Sequence, residues 1–308
     1  MGTYYRVTIA SLPSSLESDK LKTEIDKLLV EINAQMSTYI PDSELSLFND
    51  YTMTDWFPVS FETAMVVAEG IKIHQMTEGA FDITVGPLVN LWGFGPPGGK
   101  EEIPSADKIN EFLKKVGSHH LKSRLSPPAL KKNSVDLYVD LSGIAKGFAV
   151  DSIANLLETQ GIMNYIVDIG GEMKTKGRKK DNSPWRIAIE SPTVDKKEIH
   201  KVIDLSDRAI ATSGDYRNYF EKDGKRYSHE INPRTGYPIQ HRLASVTVLD
   251  SSCMRADALA TALIVLGPEE GYRLAERESK AVLFIIKGED GFFEKETTKF
   301  KREYYDKE

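Results

Sequence analysis

The chain has 308 residues, 40% of them hydrophobic and 28% charged, with unexceptional Gly and Pro content, an ordinary globular composition that excludes the disordered, collagen-like and coiled-coil classes. A net charge of −6 without a long Lys/Arg run argues against nucleic acid as the partner, because phosphate binding rests on a basic patch. The single cysteine, Cys253, excludes an internal disulfide and a zinc site built from several thiolates.

The N-terminus enters a strand-like segment, Tyr4 to Ala10, without the basic and apolar stretches of an export signal, so none is expected in this chain. Lys20 to Asn33 carries Leu21, Ile25, Leu28, Leu29 and Ile32 at helical spacing, and Glu62 to Met76 repeats the pattern with Met65, Val66, Ile71 and Ile73. Between them, Met36 to Asp50 reads as a structured surface segment in which Pro41 and Asp42 favour a turn and Asp42 or Ser43 caps a short helix. Gly93, Gly95 and Gly98 match G-x-G-x-x-G, yet the doubled prolines and following glycines predict an irregular loop instead of the strand-to-helix turn that this fingerprint needs.

From Asp136 the pattern predicts a β-α-β unit: a strand over Leu137 to Leu141, a helix from about Gly143 to Gln160 stopped by Gly161, and a strand over Tyr165 to Ile169 parallel to the first. Arg178, Lys179 and Lys180 read as a solvated turn. Strands follow at Trp185 to Glu190, Val202 to Leu205, Ala209 to Thr212 and Leu243 to Leu249, then helices at Met254 to Leu266 and Pro268 to Glu278, and a last strand at Ala281 to Lys287. The longest apolar run, Ala258 to Leu266, is far shorter than the roughly 20 residues of a membrane span, so no transmembrane segment is expected. Helices interleaved with mixed strands predict an α/β or α+β architecture. No Pro/Gly/Ser-rich linker divides the chain, which predicts one domain with room for two lobes.

Four segments carry chemistry. In DLSGIAKG, Asp140 to Gly147, Ser142 can cap a new helix whose N-terminus would attract phosphate, with Gly143 allowing close backbone approach; an ordinary strand-to-helix junction with a solvated Lys146 reads the same way. Asp257 and Thr261 stand one helical turn apart in an apolar helix, either as hard oxygen ligands for Mg²⁺ or, for Asp257, as a carboxylate favoured by the helix dipole. SHEINPRTGYP, Ser228 to Pro238, makes a tight loop with His229 near its start, either a base or a histidine satisfied by local backbone. DIGG, Asp168 to Gly171, closes a strand where ligands bind in open sheets, or is a simple glycine turn before Glu172.

In this order, and together with MGTYYRV at Met1 to Val7, MSTYIPDSELSLFN at Met36 to Asn49, GAFDITVGPLVNLWGFG at Gly79 to Gly95, ATSGDYRNYF at Ala211 to Phe220 and ADALATAL at Ala256 to Leu263, these segments resemble the FAD:protein FMN transferases. These are the ApbE-type enzymes once called thiamine-biosynthesis lipoproteins. The resemblance spans the chain. It implies one ApbE-like domain over residues 1–308, of mixed sheets with flanking helices, in which two lobes with the FAD site between them are allowed. It further implies an enzyme that splits FAD, releases AMP and joins FMN through its phosphate to a Ser or Thr of another protein.

By the same resemblance, Asp257, Thr261 and the carbonyl of Gly143 are the Mg²⁺ ligands, and His229 and Asp257 are catalytic. Met36, Tyr39, Asp82, Ser142, Lys146, Glu172, Thr212 and Ser213 are implied to line the FAD site. The implied acceptor carries an Asp-x-x-Ser/Thr-Gly-Ala-Ser/Thr motif, as in subunits of the sodium-pumping NADH:quinone oxidoreductase. The nearest internal string, Asp140 to Ala145, departs from that motif at Ser142 and Ile144, so self-modification is not expected. An extracytoplasmic location, at the periplasmic face of the inner membrane with a lipid anchor, is implied as well. A metal-dependent FAD pyrophosphatase and a non-catalytic FAD-binding module stand as alternatives.

Overall fold

The computed structural model describes residues 2–96, 102–193, 198–215 and 218–305, so Pro97, Gly98 and Gly99 of the glycine-proline loop lie outside the described residues. In chain order the elements begin with β1 (Tyr5–Ile9), α1 (Ser18–Met36), α2 (Glu44–Asp50), β2 (Phe57–Pro58), α3 (Phe61–Met76), α4 (Gly86–Leu91), α5 (Ala106–Leu113), β3 (Leu121–Leu125) and β4 (Pro128–Lys132). There follow α6 (Ala145–Thr159), β5 (Tyr165–Ile169), β6 (Glu172–Lys176), β7 (Trp185–Glu190), β8 (Ile199–Leu205) and β9 (Ala209–Gly214). The chain closes with β10 (Tyr219–Lys222), β11 (Lys225–Ser228), β12 (Leu243–Asp250), α7 (Cys253–Arg277), β13 (Ala281–Lys287), β14 (Phe292–Glu296) and α8 (Thr298–Tyr305). They form two compact units, one of Met1–Glu31, Lys146–Tyr216 and Arg242–Glu308, the other of Ile32–Ala145 and Arg217–His241.

The first unit is built on a seven-stranded sheet in the order β1-β5-β6-β9-β12-β13-β14. Its β-branched strands alternate faces as the pleat requires. On one face α7 packs against β9 and β12. On the other, Ile187, Ile189, Ile203 and Leu205 of the β7–β8 hairpin join Ile210, Leu249, Leu283, Ile285 and Phe300 in a second core. The two helices expected after Cys253 are present within α7, broken at Gly267 (φ 80°) ahead of Pro268, as a missing amide and a left-handed residue dictate.

Three expectations are corrected. Leu137 to Leu141 joins no ladder: the Asn49 side chain donates to the Val139 carbonyl (2.9 Å) and accepts from the Val139 amide (2.7 Å), and the Asp140 amide donates to Ile83 O (2.7 Å). A side chain thus takes the place of a neighbouring strand. No parallel β-α-β unit results; β5 lies antiparallel between β1 and β6. Gly170 and Gly171, with φ of 64° and 107°, are the two-residue turn of the β5–β6 hairpin, a conformation that glycine adopts without steric cost. Finally, Ala281–Lys287 is not the last strand, since β14 pairs with it and α8 follows.

The second unit contains the three-stranded sheet β2-β4-β3, the β10–β11 hairpin and the helices α2 to α5. Ser43 caps α2, its Oγ accepting from the Ser46 amide, as the turn at Pro41 and Asp42 predicts. The segment is less superficial than expected, because Leu45 and Phe48 are fully buried. Leu88, Trp92, Ile109, Phe220, Tyr227 and Ile231 form this unit's aromatic core.

One contact positions the chemistry of the first unit. A Cβ built on Gly147, in the first turn of α6, would lie 2.3 Å from the Cys253 carbonyl oxygen at the start of α7. The two helix starts therefore touch backbone to backbone. Asp151 of α6 reinforces the contact, accepting from Ser252 Oγ (2.8 Å) and the Met254 amide (3.1 Å). Gly147→Ala should lower stability in urea unfolding by about 1–3 kcal/mol or more, as overpacking against rigid backbone does. A variant as stable as the parent would show that the helix starts can separate freely.

Candidate functional site

Because α6 and α7 meet at their starts, an amide of the α6 first turn can find its acceptor on α7. The Gly147 amide donates to Asp257 Oδ2 at 2.9 Å. Lys146 Nζ lies 3.4 Å from Asp257 Oδ1 and 2.8 Å from Oε1 of Glu172, the residue that opens β6 beyond the glycine turn. Asp257 and Glu172 are only 3% and 5% exposed. Carboxylates at that depth cost several kcal/mol unless paired, and here one ammonium serves two of them.

Burial alone would lower the Lys146 pKa, but the charges of Asp257 and Glu172 outweigh it and hold the ammonium above the ordinary lysine range. Glu172 is pushed up to about 7, by burial first and then by the neighbouring Asp257, against the pull of Lys146. Its Oε2 is buried without a hydrogen-bond partner. Thr261, one turn along α7 from Asp257, makes only a 3.4 Å contact with Ser213 Oγ on β9. Asp257 Oδ1, Thr261 Oγ1 and Glu172 Oε2 are thus hard oxygens with weak internal partners or none, the donor chemistry that suits Mg²⁺. Among the described residues no cluster of three or more His, Cys, Asp or Glu side chains could hold a metal, so a cation here needs the Thr261 hydroxyl, backbone or water to complete its shell.

Lys146, Glu172, Ser213, Asp257 and Thr261 are therefore brought together in one unit. Thr212 is not with them: strand alternation turns it to the opposite face of the sheet, where its Oγ1 hydrogen bonds to Thr247 Oγ1 at 2.9 Å.

The remaining predicted residues belong to the second unit. Met36 is buried at the end of α1, and Tyr39 is 67% exposed. Ser142 does not cap α6: its amide and hydroxyl both donate to Asp140 Oδ1, closing a side-chain turn three residues ahead of the helix. Gly143 sits partly buried on the same turn.

Asp82, expected to line a ligand site, already has both carboxylate oxygens filled. Oδ1 accepts from the Thr84 amide (2.8 Å), Thr84 Oγ1 (2.6 Å) and Ser118 Oγ (2.6 Å). Oδ2 accepts from the Ser118 amide (3.1 Å) and faces His74 Nδ1 (3.1 Å). Burial would raise the Asp82 pKa, but bonds from His74, Ser118 and Thr84 outweigh it and hold the group low. The bond to Asp82 raises the His74 pKa against burial. Asp82 thus shapes its segment through internal bonds. His74 went unnoticed in the sequence, where its only signal is a histidine in the last turn of a helix.

His229 has a defined tautomer. Its Nδ1 lies 3.0 Å from the Asn218 carbonyl, and since a carbonyl only accepts, Nδ1 carries the proton and Nε2 is the basic nitrogen of the neutral ring. Glu230 Oε1 is 3.5 Å from Nε2, and Phe94 packs edge-on at 6.3 Å. The loop beyond is anchored by Trp92 Nε1 donating to Gly236 O (2.8 Å) and by Arg234 donating to the Thr77 and Glu78 carbonyls.

The fold and this cluster define a mixed α/β protein with a buried, under-committed set of hard oxygens at the meeting of two helix starts. The chain belongs to the ApbE family, whose model matches residues 1–285. It is similar to a protein named FAD:protein FMN transferase from Vibrio cholerae serotype O1, 52% identical over 301 residues that cover 98% of this chain and 90% of the relative. A protein of the same name from Haemophilus influenzae is 46% identical over 307 residues, 98% of this chain and 89% of that one. Among solved structures, the flavin transferase ApbE from Vibrio cholerae superposes with a TM-score of 0.91 at 51% identity, covering 98% of this chain and 96% of that chain.

The His74–Asp82 pair makes stability depend on pH. His74, raised above its ordinary 6.5 in the fold, contributes fully below that value, and its contribution is lost as the pH rises through the folded-state pKa. Asp82, held below 3.8, contributes above that value and fails only as the pH falls through its folded pKa. The urea midpoint should therefore decline as the pH rises above about 6.5 and through the raised folded-state pKa of His74, and the decline should shrink in His74→Gln. An identical slope in the variant would assign it to another group.

Proposed function

We propose that this protein is an FAD:protein FMN transferase: it splits the pyrophosphate of FAD, releases AMP and leaves FMN joined by a phosphoester to a Ser or Thr of an acceptor protein. The reading is carried by the buried Asp257–Lys146–Glu172 cluster beside Thr261, in a chain 52% identical to a relative of that name. Displacement at phosphorus needs positioning and charge neutralisation more than covalent catalysis, and those are what this cluster offers.

Asp257 and Thr261 would hold Mg²⁺, with the Gly143 carbonyl as the third protein ligand named by the family resemblance. When bound, the ion supplies charge neutralisation at the phosphates. Of the chain's own groups, the amides of the α6 first turn favour anionic oxygen. His229 Nε2 takes the proton of the acceptor hydroxyl as its oxygen bonds to the FMN phosphorus and the bond to AMP breaks. Glu230 Oε1 lies 3.5 Å from that nitrogen. The acceptor carries Asp-x-x-Ser/Thr-Gly-Ala-Ser/Thr, as in sodium-pumping NADH:quinone oxidoreductase subunits, and the reaction belongs to the periplasmic face of the membrane; both rest on the family resemblance.

The test is incubation with FAD, Mg²⁺ and a peptide bearing that motif, followed by mass spectrometry. Covalent flavin on the peptide is expected; free FMN alone would make the protein a pyrophosphatase, and intact FAD a binding module. His229→Gly should slow transfer by about 10²–10⁴-fold while FAD still binds, and undiminished transfer would remove His229 from the reaction. Asp257→Ala should lose activity and Mg²⁺ dependence together. Activity that titrates with Mg²⁺ as before would refute that role.

A further inference from the structure

Lys146 is placed where a metal ion would be expected to compete with it. Its ammonium lies 3.4 Å from Asp257 Oδ1, the oxygen that accepts no backbone amide, and 2.8 Å from Glu172 Oε1. Asp257 Oδ2 is already fixed by the Gly147 amide at 2.9 Å, so the oxygen left for a cation is the one facing Lys146. The other oxygen of Glu172, Oε2, is buried and unpartnered, although carboxylate oxygens at that depth are ordinarily hydrogen-bonded. The cluster holds two carboxylates and one ammonium, so one negative charge is unbalanced when both acids are ionised.

We propose that Lys146 is a resident cation, which neutralises Asp257 and Glu172 until a divalent ion arrives and must yield Asp257 Oδ1 to that ion. The inference rests on the metal role of Asp257 and Thr261 in the proposed function. Metal affinity is then set by a competition within the protein. Two buried carboxylates with no counter-charge would bind a divalent ion tightly but would also destabilise the metal-free fold. A lysine at a long 3.4 Å from Asp257 and a short 2.8 Å from Glu172 can release the first while keeping the second. The protein thus stays folded without metal and accepts it reversibly, with Lys146 retained on Glu172 beside the phosphate-facing helix start.

The experiment is Mn²⁺ binding, by calorimetry without FAD, to the wild-type protein, Lys146→Met and Lys146→Arg. A unit charge at this distance changes the free energy of a neighbouring charge by the equivalent of about one to three pKa units, so Lys146→Met should bind Mn²⁺ on the order of tenfold more tightly or better. Lys146→Arg, which keeps the charge, should bind no more tightly than wild type. Metal-free Lys146→Met should melt lower, and Mn²⁺ should raise its Tm more than it raises that of wild type. If Lys146→Met does not fold, Lys146→Gln makes the same comparison. Equal or weaker Mn²⁺ affinity in the uncharged variant, or no uptake at all, overturns the inference. Tight uptake by that variant in a protein that transfers no FMN would remove the transferase reading and leave the competition standing; intact transfer with equal affinities would do the reverse.

Discussion

The site in the first unit depends on two helices starting at van der Waals contact. Gly147 has no room for a Cβ against the Cys253 carbonyl, and that closeness lets its amide reach Asp257 across 2.9 Å. Remove the contact and Asp257 loses the donor that fixes one of its oxygens, while Lys146, one residue earlier, no longer reaches both acids. The rest of the unit serves this junction. Asp151 ties α6 to the cap of α7, and the glycine turn of the β5–β6 hairpin puts Glu172 at the head of its strand. The Cys253 thiol, buried at the same junction, is pushed well above its ordinary pKa by burial and the surrounding carboxylates, which makes it packing and not a nucleophile.

The second unit fixes its motif residues by a different means, with side chains substituting for secondary structure. Asn49 holds Val139 from one side, and the Ile83 carbonyl holds Asp140 from the other. Gly86 lies so close that a Cβ would meet Tyr138 at 2.6 Å. Asp82 in turn binds the Ile83 neighbourhood to Ser118 and His74. The turn bearing Ser142 and Gly143 is therefore supported by a chain of bonds that ends at His74, a residue outside every motif. His229 is held as firmly, by the Asn218 carbonyl and by the anchored loop behind it.

Much of this was legible in the sequence, for identifiable reasons. Periodic apolar spacing marks α1 and α3, the Gly267-Pro268 break is local chemistry, and Ser43 is a cap in its own turn. Family membership was legible because many short motifs occur in one order. What failed was whatever depends on a distant partner. Leu137 to Leu141 has the composition of a strand, but its partner is a side chain 90 residues away, so no local pattern could show that the ladder is missing. Lys146 reads as a solvated lysine until the fold brings Asp257, 111 residues on, to its side. Thr212 and Ser213 are adjacent in the motif, yet the pleat sends them to opposite faces, and only Ser213 approaches Thr261.

In the proposed reaction Asp257 and Thr261 would present their weakly committed oxygens to a cation in place of Lys146. Anomalous diffraction from crystals soaked in Mn²⁺ tests it most directly. A peak within coordination distance of both Asp257 Oδ1 and Thr261 Oγ1, with Lys146 Nζ moved off Asp257 and still on Glu172, is the predicted result. A peak elsewhere, or Asp257 still paired with Lys146 in the metal-loaded crystal, would show that no such exchange occurs.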